Sequence, residues 1–360
     1  MDLLSLTREQ LADELEQLGQ PGYRATQLCN WIYQRRATTF DEMKDLPARL
    51  RAGFAERFAL RPLLKVKETG SQDTTRKFLF RLRDGQMIET VLIPASPALY
   101  GERADRRTVC ISSQVGCAYG CKFCASGLDG FKRNLTAGEI VAQFLAVEEL
   151  SGERISNIVF MGMGEPFANY QNLMQAIGIL NAPWGVGLGA RNMTVSTSGL
   201  VPRIREFADQ PLQVRLAISL HGATDGVREK IMPVNRRYPL SALLDACEHY
   251  CSCKSQRLTF EYILIRGVND TDEQARALAG HARRLRAKVN LIPYNDVKGL
   301  DWKRPAPAVQ ERFLDLLRAQ GVSATLRREK GHDIAAACGQ LRLQTLGEAL
   351  SGHANVGFGE

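Results

Sequence analysis

Three cysteines limit what this chain can be: Cys117, Cys121 and Cys124, in the run Cys117-Ala118-Tyr119-Gly120-Cys121-Lys122-Phe123-Cys124. Close thiolates of this kind suit a soft metal centre, zinc or iron–sulfur. A [4Fe–4S] cluster normally takes four cysteines, so a three-cysteine loop leaves one iron open to a further ligand, as catalytic metal sites do. Gly116 and Gly120 let the backbone fold tightly around a bulky inorganic core. The competing reading is structural zinc, which asks for four Cys or His ligands in paired spacing. No histidine and no second close cysteine pair accompanies the loop.

A chain of 360 residues, 44% of them hydrophobic, can bury the core of one large domain with a small appendage, which excludes a disordered chain. The formal net charge of +8 favours a polyanionic partner over an acidic small metabolite, with a solvated basic face as the plainer reading. Nine cysteines make an odd number for a secreted disulfide framework, and the opening Met1 to Glu9 lacks the basic and apolar regions of a signal peptide, so a reduced cytoplasmic setting is expected. No apolar run approaches the ~20 residues needed to cross a bilayer.

Residues 1–62 read as a small helical module. Leu11, Leu15 and Leu18 share one helical face, and a second pattern runs from Tyr23 to Tyr33 after Pro21-Gly22. Arg24, Arg35 and Arg36 interleave with Tyr23, Trp31 and Tyr33. That mixture serves either to contact phosphates and stack on bases or as the module's own core and solvated face. Cys29 reads as core.

Over 63–103 the period changes to two. Phe78, Phe80 and Leu82 alternate with charges, Asp84-Gly85 offers a turn, and Ile88 to Ile93 returns as a β-hairpin, followed by a polar linker from Pro97 to Arg107. Glu89 lies inside the return strand. Strand alternation favours an exposed face for it, and a site for proton chemistry is the other reading.

From 104 to 341 strand and helix patterns alternate. Strands are predicted at Val109–Ser112, Asn157–Phe160, Asn192–Ser196, Val214–Ser219, Leu258–Leu264, Val289–Ile292 and Ser323–Leu326, and a capping box opens a helix at Thr136-Ala137-Gly138-Glu139. Repeated βα units imply an α/β fold with a parallel sheet, open or a barrel, complete or partial. Residues 342–360 form a tail without a recognisable motif.

Several strands end in polar or glycine-rich clusters, where parallel α/β folds keep their chemistry. These are Cys110 with Ser112, Gly162-Met163-Gly164-Glu165-Pro166, Ser196-Thr197-Ser198-Gly199, Ser219-Leu220-His221-Gly222, and Pro293-Tyr294-Asn295. Five such ends around one mouth make a small-molecule pocket in which glycine admits a ligand and Glu165 accepts from a ligand ammonium. His221 is the only histidine at a strand end, while His249 and His281 read as surface. Cys247, Cys251 and Cys253 read as core packing, since no fourth cysteine joins them at useful spacing, with a second cluster or zinc site as the lesser reading. Cys338, between Ala337 and Gly339, is either a buried structural cysteine or one presented to a substrate.

The runs Val109-Cys110-Ile111-Ser112-Ser113-Gln114-Val115-Gly116-Cys117, Gly130-Phe131-Lys132-Arg133-Asn134-Leu135, Gly162-Met163-Gly164-Glu165-Pro166 and Ala337-Cys338-Gly339-Gln340-Leu341 resemble the radical-SAM RNA adenine methyltransferases. That family includes C2-adenine methyltransferases of 23S rRNA and tRNA and the C8-adenine methyltransferase of ribosomal antibiotic resistance. The resemblance extends to about Leu341. It implies an α/β fold with a partial (β/α)6 radical-SAM barrel, behind an N-terminal RNA-binding helical module and a β-hairpin extension.

The resemblance also implies that Cys117, Cys121 and Cys124 hold a [4Fe–4S] cluster. S-adenosylmethionine contacts fall on Gly164, Glu165, Ser196, Ser219, Leu220, His221 and Asn295. Cys338 matches the cysteine methylated as an intermediate, Cys110 the resolving cysteine and Glu89 the proton acceptor, against the plainer readings of all three. Adenine C2 is electron-poor and does not attack a methyl donor, so the implied route is radical. Cys338 takes a methyl from one S-adenosylmethionine, a 5′-deoxyadenosyl radical from a second activates it, and the methylene adds to adenine. Cys110 then attacks the Cys338 sulfur, leaving a disulfide that must be reduced.

The implied partners are 23S rRNA, tRNA (the adenine beside the anticodon) and an electron donor such as flavodoxin or ferredoxin, with no membrane and a monomeric protein. Gln114-Val115-Gly116-Cys117 favours the C2 branch over C8. A radical-SAM enzyme with another substrate, or a non-catalytic iron–sulfur RNA-binding protein, are the competing readings.

Overall fold

The computed structural model describes residues 2–95, 106–128, 130–297, 299–327, 331, 333–336 and 339–341. Cys338, most of the predicted linker and the tail over 342–360 lie outside the described residues.

The N-terminal module consists of α1 (Arg8–Gln17), α2 (Arg24–Cys29) and α3 (Ala48–Arg57). α1 starts at a capping box, Thr7 Oγ1 accepting from Gln10 N–H while the Gln10 side chain accepts from Thr7 N–H. Leu11 and Leu15 face inward as expected, but Leu18 is 40% exposed, because the helix ends at Gln17 and the chain turns away at Gly19. α2 continues as a π-turn over Asn30–Gln34, so Ile32 and Tyr33 are both buried while Trp31 stays near the surface. The module rests on the next domain through Arg36 to Glu148 and Arg61 to Glu149.

An antiparallel run follows: β1 (Leu64–Gly70), β2 (Arg76–Arg81), β3 (Met87–Pro94) and β4 (Arg107–Cys110). The hairpin at Asp84-Gly85 is where the alternation placed it. β1 was not expected; it is an edge strand with exposed Leu64 and Val66 and the charges Lys65, Lys67 and Glu68, a pattern that protects an edge from further pairing. β3 is covered on both faces. Ile88, Thr90 and Leu92 point to the main core, where Thr90 Oγ1 donates to Gln143 Oε1 at 2.8 Å. Glu89 and Val91 point to the opposite face, so the exposed-face expectation for Glu89 is corrected: it is 2% exposed.

A second, two-stranded sheet, β5 (Gln114–Gly116) with β6 (Phe131–Asn134), clamps the two ends of the cysteine loop. Gly116 has φ +72°, and a Cβ there would lie 1.8 Å from Gly130 O, so only glycine closes this loop.

The chain then alternates through α4 (Ala137–Ser151), β7 (Asn157–Phe160), α5 (Tyr170–Asn181), β8 (Met193–Thr197), α6 (Val201–Asp209), β9 (Arg215–Ser219) and α7 (Asp225–Ile231). It continues through α8 (Leu240–Cys253), β10 (Thr259–Leu264), α9 (Asp272–Arg284), β11 (Lys288–Pro293), α10 (Pro307–Ala319) and β12 (Ala324–Leu326). α4 begins at the predicted Thr136 capping box.

The large sheet has the order β1-β2-β3-β4-β7-β8-β9-β10-β11-β12, and every pairing from β4 to β12 is parallel. β1 and β12 are its unjoined edges, so the parallel strands form an open, partial barrel. Among the described residues no helix is long and apolar enough to cross a membrane.

Candidate active site

Cys117, Cys121 and Cys124 line one cavity at the C-terminal ends of β7 to β10, about 900 Å³ counting its open mouth, within the range of ligand clefts. The loop is pinned from outside, Lys122 N–H donating to Ile231 O at 2.9 Å and Trp302 Nε1 to Lys122 O at 3.0 Å. Burial pushes the Cys117 thiol up to about 12 and Cys121 well above its ordinary value, and neighbouring thiolates raise both further. Closely set thiols raised in this way, as Cys117 and Cys121 are, become thiolates together only around a cation.

The surroundings fit a cluster held by three protein ligands. His221 Nδ1 is taken by Ile263 N–H at 3.0 Å, and the Glu165 oxygens accept from Ser198 N–H at 2.7 Å and Phe167 N–H at 3.0 Å, which fixes both side chains on the cavity wall.

Glu165, Ser196, Ser219 and His221 stand on the same cavity wall with Gly162 and Gly164. Burial raises the Glu165 pKa against the pull of its hydrogen bonds, chiefly from Ser198. Ser196 Oγ and Ser219 Oγ are 3.3 Å apart. His221 adopts φ +55° and meets the Phe123 ring edge-on at 4.7 Å. Its burial, with Arg228 adding repulsion, pushes its pKa down to about 3, and the bond accepted at Nδ1 fixes the ring proton on Nε2. Gly164 needs its φ of +98°, and a Cβ there would meet the Gln114 side chain at 2.5 Å. Leu220 is instead fully buried in the core, and Asn295 sits off this wall, its Oδ1 accepting from Arg304 at 3.1 Å.

Three residues in and around the site escaped sequence reasoning, Glu261, Arg228 and Lys77. Glu261, in the middle of apolar β10, lines the cavity and binds Asn290 Nδ2 at 2.7 Å, and burial raises its pKa. Its signal was available, a carboxylate inside an apolar strand, as at Glu89. Arg228 is fully buried and reaches Ser198 O at 2.5 Å, Leu220 O at 3.2 Å and Asn235 Oδ1 at 2.9 Å. A lone arginine in a helical stretch gives no such signal.

Cys110 and Val91 are register partners on β4 and β3, and both pack in a small apolar cluster with Met163, Ala336 and Leu341. The segment on either side of Cys338 is therefore brought to the strand that carries Cys110. On one side Gly331 N–H donates to Asp73 at 2.8 Å, and Asp333 accepts from Ser71 Oγ and Gln72 N–H. On the other, Gly339 O accepts from Ala125 N–H at 2.8 Å and Leu341 O from Ser126 Oγ at 2.8 Å. Lys77, also unforeseen, pairs with Glu89 at 3.0 Å and donates to Ala335 O at 3.2 Å. Met161 and Gly339 both face the cysteine-lined cavity.

Residues 111–279 match the model of the radical SAM superfamily, and residues 1–60 that of the "Ribosomal RNA large subunit methyltransferase N-terminal domain". The "Probable dual-specificity RNA methyltransferase RlmN 3" of Opitutus terrae is 56% identical over 349 residues, covering 94% of this chain and 93% of that protein. The chain belongs to the RlmN family of radical SAM RNA methyltransferases. The "Dual-specificity RNA methyltransferase RlmN" of Anaeromyxobacter dehalogenans is 46% identical over 348 residues, 94% of this chain and 91% of that one. A crystal structure of a radical SAM methyltransferase from Sphaerobacter thermophilus superposes with a TM-score of 0.90 at 48% identity, covering 95% and 99% of the two chains.

The protein is thus a radical SAM enzyme with a [4Fe–4S] cluster and S-adenosylmethionine as its cofactors. Within its RlmN-type N-terminal module the aromatics divide. Tyr33 is core, whereas Tyr23 is 61% exposed under Arg24, and Trp31 carries the Arg35 guanidinium 4.2 Å from its ring centroid.

Proposed function

We propose that this protein methylates C2 of an adenine in 23S rRNA and of the adenine beside the anticodon in tRNA, with Cys338 as the methyl-carrying thiol, Cys110 as the resolving thiol and Glu89 as the proton acceptor. The observation that carries the reading is the convergence of Glu89 and Cys110, on adjacent strands, with the described residues flanking Cys338. Cys117, Cys121 and Cys124 are the cluster ligands, and Gly164, Glu165, Ser196, Ser219 and His221 stand around the S-adenosylmethionine. Bound there, the two cofactors supply reducing power, the methyl carbon and the adenosyl group.

The chain's own residues do the rest. Cys338 holds the methyl carbon as a thioether. Glu89, oriented by Lys77, takes the ring proton. Cys110, as the thiolate, attacks the Cys338 sulfur, forming the S–S bond and breaking the sulfur–carbon bond, and the released carbon, which keeps the electron pair, takes up a proton to become the methyl group of the base. The disulfide is reduced before the next turnover, which fits a cytoplasmic setting. A one-electron donor of flavodoxin or ferredoxin type and a monomeric state belong to the same reading. Tyr23 with Arg24 and Trp31 with Arg35 supply stacking faces and positive charge for RNA.

The test is anaerobic reconstitution with methyl-labelled S-adenosylmethionine, reductant and either an rRNA fragment or tRNA, followed by mass spectrometry of nucleosides and of the peptide holding Cys338. Methylated Cys338 and 2-methyladenosine are expected from both RNAs. 8-Methyladenosine would move the protein to the other branch, and an unmodified Cys338 with no modified nucleoside would overturn the mechanism.

A further inference from the structure

The three cysteines of α8 point in three directions. Cys247 is fully buried in the core, and Cys251 Sγ turns toward Leu285 O. Cys253 is exposed, which corrects the core-packing reading for it because α8 ends there at the surface, and it lies on the same helical face as His249 one turn earlier, beside Asp209, the last residue of α6. The three donor atoms form a triangle. His249 Nε2 lies 2.7 Å from Asp209 Oδ1 and 3.8 Å from Cys253 Sγ, and Cys253 Sγ lies 4.0 Å from the same Oδ1. We propose that Asp209, His249 and Cys253 bind a divalent zinc-class cation that clips the C-terminus of α6 to that of α8, with water completing its tetrahedron.

Three observations converge on this reading. The first is reach. Zinc bonds of about 2.3 Å to sulfur and about 2.0–2.1 Å to nitrogen or oxygen put tetrahedral donors roughly 3.4–3.6 Å apart. The two sulfur edges are a few tenths long. The nitrogen–oxygen edge is shortened by a hydrogen bond, and it opens when the cation replaces the shared proton. The second is the donor set. A His and a Cys four residues apart on a helix chelate from one face, as two histidines do in helical zinc sites. The third is electrostatic: α6 and α8 both end at the triangle, Asp209 and Cys253 being their last residues, and helix C-termini favour positive charge.

A nucleophilic Cys–His–Asp relay does not fit the same atoms. In a relay the thiol and the carboxylate engage opposite ring nitrogens, whereas here both contacts are to Nε2. The nearby ammonium of Lys254 is held out of the triangle by the carbonyl oxygens of Gln210 and Leu212. The Ser252 hydroxyl is directed to His249 O at 2.7 Å, and its Oγ also lies 3.8 Å from Cys253 Sγ.

The experiment uses the cluster-loaded enzyme, equilibrated with Zn²⁺ and desalted, beside His249→Ala, Cys253→Ser and Asp209→Asn variants. All three positions are at the surface and away from the catalytic cavity, so the variants are expected to retain iron content and activity. The wild type is expected to bind about one zinc beyond its iron, with a zinc-edge X-ray absorption spectrum of a single sulfur neighbour and nitrogen or oxygen neighbours. Each substitution is expected to weaken zinc at least ten-fold, and added Zn²⁺ to raise the thermal midpoint of the wild type but not of His249→Ala. Zinc content unchanged in the variants, or an edge spectrum with several sulfurs, would place the ion in the cluster loop and overturn the proposal.

Discussion

The Lys77 ammonium sits 3.0 Å from a Glu89 carboxylate oxygen, and both side chains are turned away from solvent. The same ammonium donates to Ala335 O, so one cation ties the proposed proton acceptor to the segment that leads to Cys338. Lys77→Met removes a positive partner of a buried carboxylate, and a loss of about 3 kcal/mol is expected in denaturant unfolding. Adding Glu89→Gln should restore most of that stability without restoring methylation of RNA. A double variant as unstable as Lys77→Met alone would show that the pair does not hold the fold here.

Cys110 tests the order of the thiol steps. In the proposed mechanism the RNA stays on Cys338 when no resolving thiol is present, so Cys110→Ala is expected to yield a covalent protein–RNA species under single-turnover conditions, visible on a denaturing gel and by intact mass. Free methylated RNA at the wild-type rate would remove Cys110 from the mechanism.

Arg228 bridges two strand ends and the turn over Pro233–Arg236. Arg228→Met leaves Ser198 O, Leu220 O and Asn235 without that donor, and a cost of about 2–4 kcal/mol is expected. Because Ser198 N–H also holds Glu165, the KM for S-adenosylmethionine should rise more than kcat falls. Calorimetry and steady-state kinetics on the same preparation separate the two effects.

His221 gives the protein an acid limb. Its pKa is about 3 when folded and 6.5 in its ordinary state, so between those values the unfolded chain binds a proton that the folded one does not. Stability from this group is therefore complete above pH 6.5 and falls as pH is lowered through that window, by about 1.4 kcal/mol per unit well below 6.5. His221→Asn, which tolerates the left-handed backbone, should flatten the fall in urea midpoint between pH 6.5 and 5.

The parallel strands were legible because each is a short apolar run between helical patterns, and the predicted ends fall within about two residues of those observed. The β5–β6 pair was not, since Gln114–Gly116 and Phe131–Asn134 are too short to show alternation and pair only because the cysteine loop brings them together. The cysteine triplet and the strand-end clusters were readable from local spacing. Lys77 and Arg228 were not, because a charge on an alternating strand or a helix looks solvent-facing until the opposing chain is placed. Glu89 shows the converse: alternation assigned it to water, and packing of the segment near Ala336 put it in the interior. The Asp209–His249–Cys253 triangle joins two helices across some 40 positions of sequence, beyond any local pattern.

The bond from Ala125 N–H to Gly339 O lies one residue from Cys338 and one from Cys124. Consecutive Cα atoms are about 3.8 Å apart, so this one bond latches the neighbour of the proposed methyl carrier to the neighbour of a proposed cluster ligand. In the proposed mechanism, loosening the metal loop is therefore expected to loosen the backbone beside the methyl carrier as well.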